Sequence, residues 1–221
     1  MCLRQAAEWR DFSGMSFASA IWVESKVRME TMTAIAAAKA APVDVSTFRA
    51  AMRSLAGAVC IVATGTPGRR SGLTATAVCS ITADPPRLLV CLNRKTGTHD
   101  AIVASRRLSV NVLPGEAIGL ARRFAGMEPG VMGETRFAEG RWSTLAGAPA
   151  LEGACVTLVC DVTETIPAST HSMFLGDVIA VHRSDDDSGG GAREGLIYLD
   201  GCFRQLAPLR CSTEQPIEWI W

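Results

Sequence analysis

One segment of the chain is unusually rich in small and hydroxyl-bearing residues for a strand. It runs Gly-Leu-Thr-Ala-Thr-Ala-Val-Cys-Ser over residues 72–80. Small side chains let a flat ligand approach the backbone, and hydroxyl and amide groups can hydrogen-bond the polar edge of such a ligand. Taken alone, an edge strand with outward-facing threonines explains the segment better, so it indicates a ligand site only together with other features.

A second segment, residues 91–98, joins the end of a predicted strand to the start of a predicted helix. It supplies an amide, two cations and two hydroxyls: Asn93, Arg94, Lys95, Thr96 and Thr98. Cations, hydroxyls and the free backbone amides of a helix start together suit a phosphate monoester. A solvated basic loop in which Thr98 caps the helix explains the same residues equally well.

Other kinds of site find little support in the sequence. There is no Gly-x-Gly-x-x-Gly after a strand, no Walker loop, no His-Glu-x-x-His and no Gly-x-Ser-x-Gly, so a Rossmann-type nicotinamide site is not indicated. Three histidines and no Cys-x-x-Cys pair do not favour a dedicated metal site. The 22 Lys and Arg residues balance 22 Asp and Glu residues, which indicates no nucleic-acid partner.

The elements that must position these segments are mostly strands. Strands are predicted over residues 58–64, 72–82, 87–92, 108–113, 154–162, 173–182 and 195–199, and helices over 45–55, 99–105 and 117–124, the first after an Asp44 cap. Residues 125–150 are rich in glycine and lack periodicity, which predicts a long ordered loop, and residues 185–191 form a solvated turn. Many short strands and few helices fit a barrel or a sandwich better than a parallel sheet, and we expect a closed barrel.

The chain length of 221 residues fits one domain with extensions. We expect a poorly ordered extension over residues 1–43, with Met29 and Met32 as alternative starts, the domain over 44–207 and a C-terminal tail over 208–221. The sequence contains neither a secretory pattern nor a run of roughly 20 apolar residues, so we expect no membrane association.

Cysteine usage indicates the compartment. Five of the eight cysteines lie in apolar runs and are expected to be buried free thiols: Cys60, Cys79, Cys91, Cys155 and Cys160. A chain with its own core and unpaired cysteines is typical of a reducing compartment. The sequence therefore predicts a cytoplasmic protein.

Seven motifs spread over residues 48–206 form a combined pattern. They are residues 72–80, Asp84-Pro85-Pro86, Leu89 to Arg94, Val110-Asn111-Val112-Leu113, Phe124-Ala125-Gly126, Gly147-Ala148-Pro149 with Leu151-Glu152-Gly153, and Leu175-Gly176-Asp177-Val178. Each motif is weak alone, and the set is specific. The chain resembles the flavin reductase-like FMN-binding split-barrel family, which includes the reductase components of two-component flavin monooxygenases.

The resemblance implies a mainly β fold: an antiparallel split β-barrel with a few short helices, which forms a homodimer with FMN near the subunit interface. FAD is an alternative flavin. The flavin-binding residues that it implies are Thr74, Ala75, Thr76 and Ala77 along the isoalloxazine ring and ribityl chain, Cys91 and Leu92 in the second segment, Asn93, Arg94, Thr96 and Thr98 around the phosphate, and Phe124 and Ala125 closing the pocket.

The family also carries a histidine just before its Leu-Gly-x-Val strand, often as Gly-Asp-His. His171 occupies this place within Ser169-Thr170-His171, and the resemblance implies that it helps to seat the nicotinamide of NADH or NADPH. The acidic neighbour that would raise the basicity of the imidazole is absent here. A loop histidine that only packs is the alternative. Relatives often place an aromatic hydroxyl or a histidine near Phe203, which can stack but cannot donate a hydrogen bond.

The activity implied by the resemblance is an NAD(P)H:FMN oxidoreductase, which transfers hydride to FMN and supplies reduced flavin to a separate flavin-dependent monooxygenase. One alternative is FMN-dependent reduction of a bound substrate such as a corrinoid, because cobyrinate diamide reductases look similar in the same motifs. The other is a non-catalytic FMN- or haem-binding split-barrel module. Such a module would bind its ligand without oxidising NADH or NADPH.

Overall fold

The computed structural model describes residues 41–183 and 194–206. Most of the predicted N-terminal extension, the predicted turn over residues 185–191 and the predicted tail over 208–221 lie outside the described residues. The chain divides between Phe48 and Arg49 into a short N-terminal unit and a larger unit, which holds every described strand. Within the described ranges, no helix is long and apolar enough to cross a membrane.

The described helices are short. Helix α1 spans Val45–Met52, α2 spans Gly97–Ser105, α3 spans Ile118–Phe124, and a 3-10 helix covers Gly133–Ala138. The predicted cap of α1 is confirmed, because Oδ1 of Asp44 accepts hydrogen bonds from the backbone N–H groups of Ser46 and Thr47 at 2.9 and 3.0 Å. Hydrogen bonds from the hydroxyls and amides of these two residues hold the pKa of Asp44 well below its ordinary value. No side chain of α1 is buried.

Twelve strands are described, and every pairing between them is antiparallel. They are β1 (Gly57–Ala58), β2 (Cys60–Thr64), β3 (Ser71–Ala75), β4 (Val78–Ala83), β5 (Pro86–Asn93), β6 (Arg107–Val112), β7 (Trp142–Leu145), β8 (Ala148–Leu151), β9 (Val156–Ala168), β10 (His171–Arg183), β11 (Leu196–Leu199) and β12 (Cys202–Gln205).

The main sheet has seven strands in the order β3-β2-β6-β9-β10-β5-β4. Its two edge strands, β3 and β4, are separated in the chain only by Thr76 and Ala77, but they pair with different neighbours. The barrel is therefore split between β3 and β4, which confirms the antiparallel split β-barrel implied by the resemblance and corrects the closed barrel expected from the strand pattern alone. A three-stranded sheet, β1-β11-β12, and the hairpin β7-β8 complete the described strands.

The prediction of a loop over residues 125–150 was wrong, because this stretch contains the 3-10 helix and the hairpin β7-β8. Residues Ala146 and Gly147 form the two-residue turn of the hairpin, with φ of 45° and 80°. Two positive φ values are the mark of a type I′ turn, whose first position usually holds Asn, Asp or Gly. Alanine at that position hid the turn from sequence reasoning.

Strand β9 continues to Ala168, six residues beyond its predicted end at residue 162, and pairs with β10 along a long hairpin. The extra residues include exposed polar side chains, such as Thr163 and Glu164. The apolar alternation in the sequence ends where the strand leaves the core. It therefore could not indicate that the strand continues to Ala168.

Strand β2 separates two apolar clusters and is buried at every position. Its residues Cys60 and Val62 pack in a cluster with Val90, Val110 and other residues of β5, β6, β9, β10 and α2. Its residue Ile61 lies in a second cluster with residues of α3, β8 and β11 and with the 3-10 helix. Because successive side chains of a strand point to opposite faces, one face of β2 packs in the barrel core and the other packs against the outer elements.

A buried polar network connects the barrel to the β7-β8 hairpin. The Nδ2 of Asn111 donates to the carbonyl oxygen of Ile61 and to Oγ of Ser109, both at 3.1 Å. Its Oδ1 accepts from the backbone N–H of Leu151 at 2.8 Å and from Oγ1 of Thr157 at 2.9 Å. The Asn111 side-chain amide therefore joins two strands of the barrel to the outer hairpin.

The cysteines only partly follow the prediction of burial. Cys60 and Cys160 are buried, and burial raises the pKa of each thiol to about 12, so both are unreactive thiols. Cys91 and Cys155 are partly buried. The prediction was wrong for Cys79, which is exposed because it lies on the edge strand β4.

Candidate functional site

A cavity of about 370 Å³ lies where the two predicted segments meet. Its wall is formed by Leu73, Thr74, Ala75, Thr76, Ala77, Cys91, Leu92, Asn93, Thr96, Phe124, Ala125, Arg136 and His171. Small-molecule sites in proteins generally have volumes of about 300–1,000 Å³. The cavity brings together most of the residues predicted from the sequence, although their part in ligand binding stays a prediction.

The first segment is not one continuous strand. The predicted strand over residues 72–82 is broken at Thr76 and Ala77, where the chain passes from the β2 side of the sheet to the β5 side. Both residues are exposed and line the cavity. In contrast, Thr74 uses its hydroxyl to donate to the carbonyl oxygen of Ala121 at 2.7 Å, so this hydroxyl holds α3 against the strand.

The second segment forms a turn between β5 and α2. Oδ1 of Asn93 accepts from the backbone N–H of Lys95 at 2.9 Å. Thr96 is the N-cap of α2: its Oγ1 accepts from the backbone N–H of His99 at 3.3 Å and donates to the carbonyl oxygen of Asn93 at 2.9 Å. The backbone amides of Gly97 and Thr98 belong to the first helical turn, where no intrahelical acceptor exists.

Two predicted phosphate-side residues do not line the cavity. Thr98 is not the cap of the helix, because Thr96 has that place; Thr98 is buried and its Oγ1 pairs with Oγ of Ser71 at 2.9 Å. Arg94 is exposed, and its backbone N–H donates to the carbonyl oxygen of Thr170 at 3.0 Å. Strand β5 ends at Asn93, and Arg94 after it is not part of the wall, a detail that residue order alone does not specify.

Phe124 and Ala125 lie at the C-terminal end of α3. The Phe124 ring is fully buried and packs against Phe137 and Trp142, with ring centroids 5.0 and 5.5 Å away. Ala125 is exposed beside it. The aromatic cluster therefore packs around Phe124, which lines the cavity together with Ala125.

His171 begins β10 and pairs with Asn93 across the sheet, which brings the histidine to the second segment. Its Nδ1 and the hydroxyl of Thr170 are 2.8 Å apart and form a hydrogen bond. In the described part of the chain, Nε2 makes no such bond. Thr170 holds the position that an aspartate has in the Gly-Asp-His motif. Its hydroxyl orients the imidazole ring without adding a charge.

Sequence reasoning missed Leu73 and Arg136 as lining residues. Nη1 of Arg136 donates to the carbonyl oxygens of Gly72 and Phe124 at 2.8 and 3.1 Å. Burial lowers the pKa of this guanidinium. Arg136 lies in the stretch that was predicted to be a loop, 64 residues from Gly72 in the chain. No local spacing could have connected the two.

Comparison with known families identifies the chain. The flavin reductase like domain model matches residues 52–207. This chain belongs to the flavin reductase-like family. The match includes both segments and every residue of the cavity wall, and it begins within α1.

Several flavin reductases are similar to this chain. The FMN reductase (NADH) RutF of Stutzerimonas stutzeri is 44% identical over 168 residues, which cover 76% of this chain and 91% of the relative. The solved NADH:FAD oxidoreductase SgcE6 of Streptomyces globisporus C-1027 is 30% identical with a TM-score of 0.66, covering 76% of this chain and 99% of that one. BorF, the flavin reductase component of a bacterial two-component tryptophan halogenase, is 28% identical with a TM-score of 0.65, covering 75% and 100%.

Proposed function

We propose that this chain is an NADH-dependent flavin reductase that transfers hydride from the reduced nicotinamide to FMN. The observation that carries the proposal is the cavity, where small residues, an exposed threonine and the first turn of a helix meet. Its floor at Ala75 and Ala77 offers little steric hindrance to a flat ring. The family and the names of the relatives support the same activity.

The donor groups of the cavity fit FMN. The exposed hydroxyl of Thr76 is free to bond the polar edge of the ring or the ribityl chain. The start of α2 at Thr96 and the side-chain amide of Asn93, which both line the cavity, suit the phosphate, because a helix start attracts anions. Bound FMN supplies the hydride acceptor, and the protein supplies placement.

We assign His171 to the nicotinamide side of the cavity. Its Nδ1 is held by Thr170, so the ring has a fixed orientation and Nε2 remains to bond an amide or ribose group. Hydride transfer needs the two rings in contact and water kept away from them, so orientation is the main contribution of the chain. No acid, base or nucleophile of the chain is required for that step.

The test is anaerobic oxidation of NADH by the purified chain, with and without added FMN, followed at the nicotinamide and flavin absorbance bands. Oxidation that requires FMN is the expected result, and NADPH in place of NADH establishes the donor. FMN binding without oxidation of either donor would overturn the reductase proposal in favour of a binding module. FMN that stays bound and is not exchanged with free flavin would favour reduction of a bound substrate instead.

We further propose a homodimer and a separate flavin-dependent monooxygenase as partner. Exposed apolar side chains on two strands of the barrel, Ile81 of β4 and Ile179 and Val181 of β10, are 46%, 44% and 54% exposed and support an interface with a second copy. BorF, a component of a two-component enzyme, supports the separate partner. Sedimentation equilibrium tests the dimer, and an Ile179→Glu, Val181→Glu variant that sediments like the wild-type chain would contradict this interface.

A further inference from the structure

The arginines around the aromatic cluster differ in their partners. Nε of Arg70 donates to Oε1 of Glu134 at 2.8 Å, and Arg123 forms an ion pair with Glu128. Arg136 follows these residues in the chain and lines the cavity, but in the described ranges no carboxylate is within ion-pair distance of it. It is a cation without a counter-charge in the wall of a cavity.

The guanidinium of Arg136 is held in place but only partly satisfied. Nη1 donates to two backbone carbonyl oxygens, those of Gly72 and Phe124, which fixes the plane of the group. Nε is buried and has no hydrogen-bond partner among the described residues. Buried donors without partners are rare and costly in proteins, by about 1–3 kcal/mol each, so such a group calls for an explanation.

A second positive element reaches the same end of β3. Gly72, whose carbonyl oxygen binds Arg136, is next to Ser71, whose hydroxyl pairs with Thr98 in the first turn of α2. The chain therefore brings Arg136 toward the positive end of a nine-residue helix. A guanidinium and a helix start each attract an anion.

We propose that Arg136 is an anion-binding residue of the cavity and binds a phosphate oxygen of the nucleotide held there. The inference rests on the proposed function, because that function puts phosphorylated nucleotides in this cavity. Arginine suits the task, since it stays charged when partly desolvated and its donors match phosphate oxygens in geometry. The phosphate belongs either to the flavin nucleotide or to the nicotinamide dinucleotide.

The test uses three probes, the wild-type chain and three variants. FMN and riboflavin differ only in the phosphate, and ADP-ribose carries the diphosphate of the dinucleotide without its reactive ring. Dissociation constants are measured by flavin fluorescence and by calorimetry for the wild-type chain, Arg136→Gln and Arg122→Gln. Arg122 is a matched control, because it is an exposed arginine of the neighbouring helix α3 and is not in the cavity wall. Arg136→Lys keeps the charge and is expected to restore part of the affinity.

The outcomes separate the sources of the phosphate. We expect Arg136→Gln to weaken FMN binding about tenfold or more, as for a lost charge-assisted hydrogen bond, and to leave riboflavin binding unchanged. A loss confined to ADP-ribose would also support an anion-binding Arg136 and would assign it to the dinucleotide. Equal weakening of FMN and riboflavin without effect on ADP-ribose, or no change with any probe, would overturn the proposal and leave Arg136 a structural residue.

The same measurements keep this proposal apart from the proposed function. A wild-type chain that binds neither FMN nor riboflavin would contradict the flavin reductase activity. The ADP-ribose titration alone would then decide the role of Arg136: a loss in Arg136→Gln supports it and no loss overturns it. Thermal unfolding of each variant shows whether the bonds to Gly72 and Phe124 are needed for the fold.

Discussion

Two polar regions of this barrel use the same residue types in opposite ways. In the interior, Asn111 and Thr157 are fully buried and bonded to each other at 2.9 Å. At the cavity, Asn93 and Thr76 are exposed, and the Thr76 hydroxyl has no partner among the described residues. Both pairs consist of an amide and a hydroxyl on or next to strands of one sheet, but only the first pair is hydrogen-bonded within the protein.

The difference shows how a polar group in a barrel is assigned to the fold or to a ligand. A buried amide whose four hydrogen bonds are all made stabilises one arrangement of strands, and losing it leaves buried donors unpaired. An exposed amide or hydroxyl exchanges water for a ligand at little cost to the fold. Stability and ligand affinity should therefore respond separately to substitutions in the two regions.

The largest expected effect comes from removing the centre of the buried network. Asn111→Ala leaves the backbone N–H of Leu151 and the hydroxyl of Thr157 without acceptors in the core. We expect the free energy of unfolding to fall by about 3 kcal/mol or more, since each unpaired buried group costs about 1–3 kcal/mol. Urea denaturation measures this change.

The matched substitution in the other region is Asn93→Ala. Its only described side-chain hydrogen bond is with the exposed backbone N–H of Lys95. We expect a change in unfolding free energy of less than about 1 kcal/mol, together with weaker FMN binding. Similar destabilisation by the two alanine substitutions would break the distinction between the regions.

Residue types and spacing predicted much of this arrangement. The pattern of strands and turns favoured a barrel, and the resemblance connected residues 74–77 with Asn93, Thr96, Phe124 and His171, which the structure brings to one cavity. The resemblance placed Thr98 at the phosphate, but its hydroxyl pairs with that of Ser71. The direction of a side chain at a helix start depends on the packing partner, which local sequence does not contain.

Arg136 and the β7-β8 hairpin escaped prediction for a related reason. The hairpin depends on positive φ at Ala146, which alanine rarely adopts, and on the hydrogen bond between Leu151 and Asn111, 40 residues away. The position of the Arg136 guanidinium depends on hydrogen bonds to the backbone oxygens of Gly72 and Phe124, which lie outside its own segment of the chain. Contacts of this kind are set by tertiary structure and leave no periodic signal.

A matched pair of threonine substitutions sharpens the comparison at smaller magnitude. Thr157→Val removes one hydrogen bond to Asn111 in the core, and we expect a loss of about 1 kcal/mol in unfolding free energy with unchanged FMN affinity. Thr76→Val should leave stability within about 0.5 kcal/mol and weaken FMN binding about 3- to 10-fold. Equilibrium unfolding measures the stability of both variants, and flavin titration measures their FMN affinities. An unaffected FMN affinity in Thr76→Val would exclude this hydroxyl from the site.

The smallest expected effect concerns the ion pair between Arg70 and Glu134. Arg136, in contrast, has no carboxylate partner among the described residues. Hydrogen bonds from Arg70 lower the pKa of Glu134 below its ordinary value of 4.5. A lowered pKa means that the pair contributes stability above pH 4.5 and loses it as the pH falls and the carboxylate takes up a proton. Glu134→Gln should therefore lower stability at neutral pH and flatten its decline in acid, whereas Glu164→Gln, at an exposed position of β9, should do neither. Urea midpoints from about pH 7 to pH 3 test this, and parallel curves for Glu134→Gln and the wild-type chain would show that the pair is too exposed to matter.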